Sequence, residues 1–375
     1  MKYYLIAGEA SGDLHASNLM KALKRLDPLA DFRYWGGDLM RAQGGSLVRH
    51  YRELAFMGFA EVLMNMGTIM RNIRQCKRDI ASYKPDVIIF IDYPGFNLRM
   101  ARWARTKGFR THFYVSPQIW AWKENRIREI RRDVDQMYVI LPFEKHFYEE
   151  KHHYKVHFVG HPLLDAIAGR KPVNLEDFRK EQGLEDKPVV ALLPGSRKQE
   201  IHKMLEIMTQ IIDDFPDYQF VIAGAPSQDR EIYEKFLHTK RLHLVMNRTY
   251  DLLQISTAAL VTSGTATLET ALFKVPEVVC YKGSMLSYQI AKRIVNLRFI
   301  SLVNLIMDRE VVRELIQKDF NRKNLGRALS RILDPMHREK IFSDYFELEQ
   351  KLGGPGASEK TARLIYSDIS DEAVD

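Results

Sequence analysis

Short runs of β-branched and aromatic residues recur along the chain, separated by stretches with helical periodicity. In the first half they are YYLIAG (3–8), FRYWGG (32–37), DVIIFID (86–92), HFYVSP (112–117), QMYVIL (136–141) and VHFVGHP (156–162). The rhythm stops at AGRKPVNLEDF (168–178), a polar, proline-containing stretch that predicts a linker. It resumes with VVALLPG (189–195), YQFVIAGA (218–225), LHLVMN (242–247), AALVTSG (258–264) and VVCYKG (278–283). Runs that are apolar throughout suit strands buried on both faces of a parallel sheet, and βα alternation is how such sheets are wound. The pattern predicts an α/β protein with two Rossmann-like, doubly wound parallel-sheet domains, at 1–168 and 169–345, and a C-terminal helix and tail at 346–375 placed to pack back on the first. A chain of 375 residues is too long for one core, which agrees. Two such sheets predict an interdomain cleft, and ligands favour the carboxyl ends of parallel strands.

Composition narrows the class. With 46% hydrophobic and 28% charged residues the chain is neither disordered nor of low complexity. Cys76 and Cys280 are far apart and form no metal-binding spacing, so a reducing cytoplasm is the simplest setting. The opening MKYYLIAGEASGD is too short in apolar residues for a signal peptide, and no apolar run reaches the roughly 18 residues of a membrane span. The net charge is +8, and residues 99–132 hold ten Lys/Arg against two Glu. Such a stripe attracts nucleic acid, an anionic membrane or a phosphate-bearing substrate, and solvated helix faces produce it too. No RNA-recognition, zinc-finger or helix-turn-helix signature accompanies it.

The strand ends carry the candidate chemistry. VTSGTATLETAL (261–272) reads as strand, tight loop and helix. Ser263, Gly264, Thr265, Ala266 and Thr267 would present backbone N–H groups and hydroxyls to an anion at the helix N-terminus. Glu269, one turn in, is placed to accept from a sugar hydroxyl. LLPGSRKQEIHK (192–203) repeats the design: Pro194, Gly195 and Ser196 turn the chain, and Arg197 offers a fork of donors suited to a diphosphate. Ordinary capping and a surface arginine would give the same letters.

The first half presents acids instead. Glu9 and Asp13 in GEASGD (8–13) suit sugar hydroxyls rather than phosphate, although Ser11 or Asp13 would also serve as a helix cap. Asp92 ends the apolar run of IDYPGFN (91–97), where partial desolvation would fit it for general-base work, and Asn97 would flank the same pocket. Trp120 and Trp122 interleave with the basic stripe in YVSPQIWAWKENR, a pattern that suits nucleic acid or a membrane-facing, lipid-binding wall, with Trp120 as an acceptor-side candidate. Upstream, Phe56, Met57, Phe59, Val62, Leu63 and Met66 make an adaptable apolar surface suited to acyl chains, or a buried helix. His161 in GHPLLD reads as structural. In SLVNLIMDREVVRELIQ (301–317), Asn304 is a candidate, and the spacing of Glu310, Glu314 and Gln317 predicts one helix face.

Taken together, GEASGD, MGFAEVL, IDYPGFN, YVSPQIWAW, GHPLLD, LLPGSRKQEI, SGTATLE and VNLIMDREVVRELIQ resemble the lipid-A-disaccharide synthase family, in order and over nearly the whole chain. Only the last thirty or so residues, ending in SDISDEAVD, match no motif of it. The resemblance implies the GT-B fold and an inverting glycosyltransferase that needs neither cofactor nor metal. It implies transfer from UDP-2,3-diacylglucosamine to lipid X (2,3-diacylglucosamine 1-phosphate) at the cytoplasmic face of the inner membrane, with a homodimer as a further expectation. Carried onto this sequence, it makes Asp92 the base for the acceptor 6-hydroxyl, with Glu9 and Asp13 near the reacting sugars. Arg197 and the SGTATLE turn take the diphosphate, and Glu269, Asn304 and Gln317 belong to the donor pocket. Rival readings are another UDP-sugar GT-B enzyme, such as an epimerase, and a nucleic-acid-binding module. The latter predicts salt-sensitive polynucleotide binding without UDP release.

Overall fold

The computed structural model describes residues 1–53, 66–170, 173–283 and 298–370. The chain divides into two compact units: Met1–Arg170 together with the segment from Leu352 onward, and Lys171–Lys351.

The first unit is built on a seven-stranded parallel sheet in the order β3-β2-β1-β4-β5-β6-β7. Its strands are β1 (Lys2–Ala7), β2 (Asp31–Gly36), β3 (Ser46–His50), β4 (Val87–Ile91), β5 (Thr111–Tyr114), β6 (Gln136–Val139) and β7 (His157–Phe158). The second unit carries six parallel strands in the order β10-β9-β8-β11-β12-β13. These are β8 (Val189–Leu193), β9 (Gln219–Gly224), β10 (Leu242–Met246), β11 (Ser256–Thr262), β12 (Glu277–Tyr281) and β13 (Arg313–Ile316). The central strands bear out the apolar-run reading: Tyr3–Ala7, Val87–Ile91 and residues 189–192 are wholly buried. Burial of each such Val, Leu or Ile side chain stabilises by about 1.5–3 kcal/mol.

Two strands were not visible as apolar runs, and both are edge strands. β3 is SLVRH and β13 is RELI, with polar residues that an edge leaves half in water. The expectation of one helix face across 301–317 is thereby corrected. A short helix, Leu302–Met307, ends at Asp308 in left-handed conformation, and the chain then pairs with β12 as β13. Glu310 precedes the strand, Glu314 lies within it and Gln317 follows it.

In each sheet the strand order reverses once, between β1 and β4 in the first unit and between β8 and β11 in the second. At such a point the two flanking connections leave for opposite sides, and a crevice opens beyond the strands' carboxyl ends. Register fixes which residues stand there. Ala7 pairs with Ile91, so Gly8-Glu9 and Asp92 leave the sheet side by side. Val261 pairs with Leu193, which does the same for Ser263-Gly264 and Pro194-Gly195.

The C-terminal segment is part of the first unit. The helix Pro335–Lys351 runs unbroken within the second unit, so the return begins at Leu352 rather than near residue 346. The final helix, Ala357–Ser370, packs on the helices Ala10–Leu26 and Pro162–Ala168. Asp165 caps it, accepting from the Gly356 and Ser358 N–H groups at 2.5 and 2.7 Å. At its far end Asp368 accepts from Gln136 Nε2 at 2.7 Å and pairs with Arg110, and the buried His112 Nε2 lies 3.0 Å from its carboxylate. Burial lowers the His112 pKa, and its hydrogen bond lowers that of Asp368. Within the stretch that has no family motif, Asp368 therefore ties the final helix to the sheet.

Candidate functional site

At the switch point of the first unit two carboxylates meet. Glu9 follows β1 and precedes the helix Ala10–Leu26, which starts without a side-chain cap. Asp92 follows β4. Both it and Tyr93 are left-handed, with φ of 47° and 49°, before the helix Pro94–Thr106 begins. Non-glycine residues held there cost about 1 kcal/mol or more each, and such strain concentrates at functional sites. Gly8 makes room for the kink, since a Cβ on it would fall 2.3 Å from the Tyr93 ring. The half-buried Asp92 carboxyl is raised to about 6, chiefly by desolvation and then by the charge of Glu9, with the Tyr93 backbone N–H opposing. A carboxyl poised there takes up a proton near neutral pH far better than an ordinary aspartate.

The other first-unit candidates divide between this turn and the scaffold. Asn97 is fully buried, so it does not line an acceptor surface. Its Nδ2 donates to the carbonyls of Asp92, Ile6 and Ile91 at 2.7, 3.3 and 3.4 Å. Asp13 is likewise corrected. It lies inside the helix rather than capping it, buried, and accepts from the N–H groups of Gly37, Leu39 and Met40 at 2.8, 3.0 and 3.1 Å. Those amides open the helix Asp38–Ala42, so Asp13 fixes one helix to another. Trp120 is half-buried, and its Nε1 donates to Glu144 at 3.1 Å. Glu144 also accepts from Ser116 Oγ at 2.6 Å and from the Ile140 and Leu141 N–H groups, which pins the loop after β5. His161 is a buried cap for Leu163 N, as its motif suggested, and burial pushes its imidazole down to about 3. Phe56, Met57, Phe59, Val62 and Leu63 lie outside the described residues, as does the Met66 side chain. The helix that Met66 opens, Met66–Tyr83, buries Ile73, Cys76 and Ile80 against the core.

The second switch point carries donors. Gly195 has φ +96°, and a Cβ there would meet Glu200 Oε2 at 2.5 Å, so the bend after β8 needs glycine. Ser196 and Arg197 are exposed, and the helix Lys198–Met208 that follows has no side-chain cap. Gln228 Nε2 donates to the Ser196 carbonyl at 2.8 Å and steadies the bend. After β11, Gly264 and Thr265 are exposed, and the helix Thr265–Leu272 also begins without a side-chain cap. The hydroxyls of this turn are not equal. Ser263 Oγ donates to Ile300 O at 2.9 Å, and the buried Thr267 Oγ1 donates to Gly264 O at 2.9 Å, while Ala266 packs into the core. Thr265 is the hydroxyl turned to solvent. Glu269 accepts from Tyr250 Oη at 2.7 Å and is raised by desolvation. Tyr250, on the helix Thr249–Ile255, gave no sequence signal because its partner is 19 residues away.

Two expected donor-pocket residues part company. Asn304 is fully buried with every polar group used: Nδ2 donates to Val312 O and Glu314 Oε1, and Oδ1 accepts from Val311 and Val312 N–H. It joins the helix Leu302–Met307 to β13 and is corrected to a brace. Glu314 completes that brace by accepting from the Ile300 and Ser301 N–H groups. Gln317 follows β13 in left-handed conformation, φ +54°, and its buried Nε2 has no partner. It stands at the same carboxyl edge as the Ser263 turn, two strands along.

A family model described as lipid-A-disaccharide synthetase matches residues 3–365. The chain is 39% identical over 369 residues to a lipid-A-disaccharide synthase of Geobacter sulfurreducens, covering 96% of this chain and 95% of that one. It is 37% identical to one of Coxiella burnetii, covering 97% of each. Among solved structures, a UDP-GlcNAc 2-epimerase from Neisseria meningitidis bound to UDP-GlcNAc superposes with a TM-score of 0.71 at 14% identity, over 98% of this chain and 100% of that one. An S. aureus MnaA–UDP co-structure gives 0.70 at 15% identity, over 98% and 97%. At those identities the likeness is one of fold, and that fold is GT-B. The sequence relatives decide further: the chain belongs to the lipid-A-disaccharide synthase family of glycosyltransferases.

Proposed function

We propose that this chain transfers the 2,3-diacylglucosamine of UDP-2,3-diacylglucosamine to the 6-hydroxyl of lipid X, giving the β-1,6-linked disaccharide 1-phosphate and UDP. Asp92 takes the proton from the acceptor hydroxyl as its oxygen bonds to the anomeric carbon. The bond from that carbon to the UDP oxygen breaks, with inversion. Negative charge growing on the departing diphosphate meets Arg197, Ser196, the exposed Thr265 and the uncapped helix starts after Gly195 and Gly264. These fixed donors let the reaction proceed without a metal. Glu269, held by Tyr250, takes a donor hydroxyl, and Gln317 supplies a further donor. The observation that carries this reading is the opposite chemistry of the two switch points, acids in the first unit and cation with amides in the second.

Both substrates are amphiphiles, so the enzyme works where they reside, at the cytoplasmic face of the inner membrane. Among the described residues no helix is long and apolar enough to cross a membrane. Peripheral attachment through exposed aromatics and cations fits this, and Trp122, with Lys123 Nζ at 4.4 Å from its ring and Arg126 beside it, is the first candidate. Nucleic acid is not a partner in this reading, and light scattering would report whether the enzyme pairs as a homodimer.

The test is to incubate purified protein with the UDP-diacylsugar and lipid X and follow UDP and disaccharide by mass spectrometry. Disaccharide and UDP appearing in equal amounts, only when both substrates are present, is the expected result. Conversion of the UDP-sugar to an isomer without acceptor would overturn it in favour of an epimerase.

A further inference from the structure

Asn97 sits one turn into the helix Pro94–Thr106, where Phe96, Leu98 and Met100 are buried around it. An apolar residue would satisfy such a position. The amide instead reaches the carbonyls of Ile6 and Ile91, on β1 and β4 where the two strands part, and that of Asp92. The shortest of these bonds, 2.7 Å, goes to Asp92, the first residue of the left-handed pair. The Asn97 backbone N–H takes the second, donating to Tyr93 O at 3.1 Å. Two hydrogens on Nδ2 serve three acceptors, and Oδ1 stays buried without a partner. Reversing the amide would set Oδ1 against three carbonyl oxygens, so its direction is fixed by its surroundings. The position uses the donors alone, on the backbone that the Asp92 carboxyl hangs from.

We propose that Asn97 is a positioning residue: by tying the ends of β1 and β4 to the carbonyl of Asp92, its side-chain amide holds Asp92 and Tyr93 in the left-handed turn that brings the Asp92 carboxyl beside Glu9. This rests on Asp92 acting as the base. Without the amide, Asp92 and Tyr93 relax toward ordinary backbone angles, and the carboxyl moves into solvent and away from Glu9. Small displacements of a reacting group cost on the order of 100-fold in rate.

The test uses Asn97→Ala and Asn97→Ser in the full chain, with folding checked by circular dichroism. The expected result is a fall in kcat of about 10- to 100-fold, KM for the UDP-sugar within twofold of wild type, and an acid limb of the pH–rate profile displaced to lower pH. Asn97→Ser, whose hydroxyl still reaches one carbonyl, should retain more activity than Asn97→Ala. A folded variant with wild-type kcat and an unmoved acid limb overturns the proposal. So does failure of both variants to fold, since Asn97 would then belong to the core alone. Asp92→Asn in parallel separates the two levels. If Asp92→Asn turns over normally, the base assignment has failed. If it is inactive while Asn97→Ser is unchanged, only the positioning role has.

Discussion

The two units solve one topological problem in two chemistries. Each reverses its strand order once, and each places two strand-to-helix turns beside that reversal with helices that begin without a side-chain cap. In the second unit the turns are Pro194-Gly195-Ser196-Arg197 and Ser263-Gly264-Thr265, small residues that expose backbone donors and one guanidinium. In the first they bear Glu9 and Asp92, and the charge of one raises the proton affinity of the other. Parallel sheets and helix dipoles make both edges receptive to anions. The side chains at two or three positions set the difference: carboxylates stand at one edge, and a guanidinium with small residues at the other.

The largest expected effect is at Asp92, the proposed base. Asp92→Asn keeps the size of the side chain and should lower kcat by about 10²- to 10⁴-fold, measured as disaccharide formed at saturating substrates, with little change in melting temperature. Retained turnover would erase the contrast between the two edges. Arg197→Ala addresses the other edge. Loss of its charge-assisted donors should reduce kcat/KM for the UDP-sugar by about 10²- to 10³-fold and weaken UDP binding in calorimetry. Unchanged UDP affinity would move the diphosphate elsewhere.

Asp13→Asn separates scaffold from site within the first unit. Weakening a carboxylate that accepts from three amides should cost about 1.5–3 kcal/mol in denaturant unfolding, while folded enzyme keeps its turnover within a few fold. A large loss of kcat with unchanged stability would return Asp13 to the chemistry. Glu9→Gln is the finest probe. The negative charge of Glu9 raises the pKa of Asp92, and removing it should let Asp92 stay ionised at lower pH. The acid limb of kcat/KM, expected near 6, should move downward by a fraction of a pH unit, read from the pH–rate profile. Displacement upward, or none, would mean that the two carboxylates do not interact in the working enzyme.

The α/β class, the two sheets, every central strand and the four turns at the reversals were legible in the sequence. Apolar strand runs and glycine-bearing turns are local patterns, fixed by backbone sterics and by burial on both faces of a sheet. It also carried the family, through motifs spread in order along the chain. The edge strands β3 and β13 escaped it because SLVRH and RELI acquire strand character from their neighbours, β2 and β12. Which polar residues of the motifs are bound into the frame depends on tertiary contacts. Asn97, Asn304, Asp13 and Thr267 look as reactive in sequence as Asp92 or Thr265, yet burial and hydrogen bonds commit them to the frame. Those partners stand up to 91 residues away, as Ile6 does from Asn97, and no local pattern encodes a contact made only when distant strands pair. The left-handed turn of Asp92 and Tyr93 has the same origin, since a strained backbone persists only where the packed surroundings hold it.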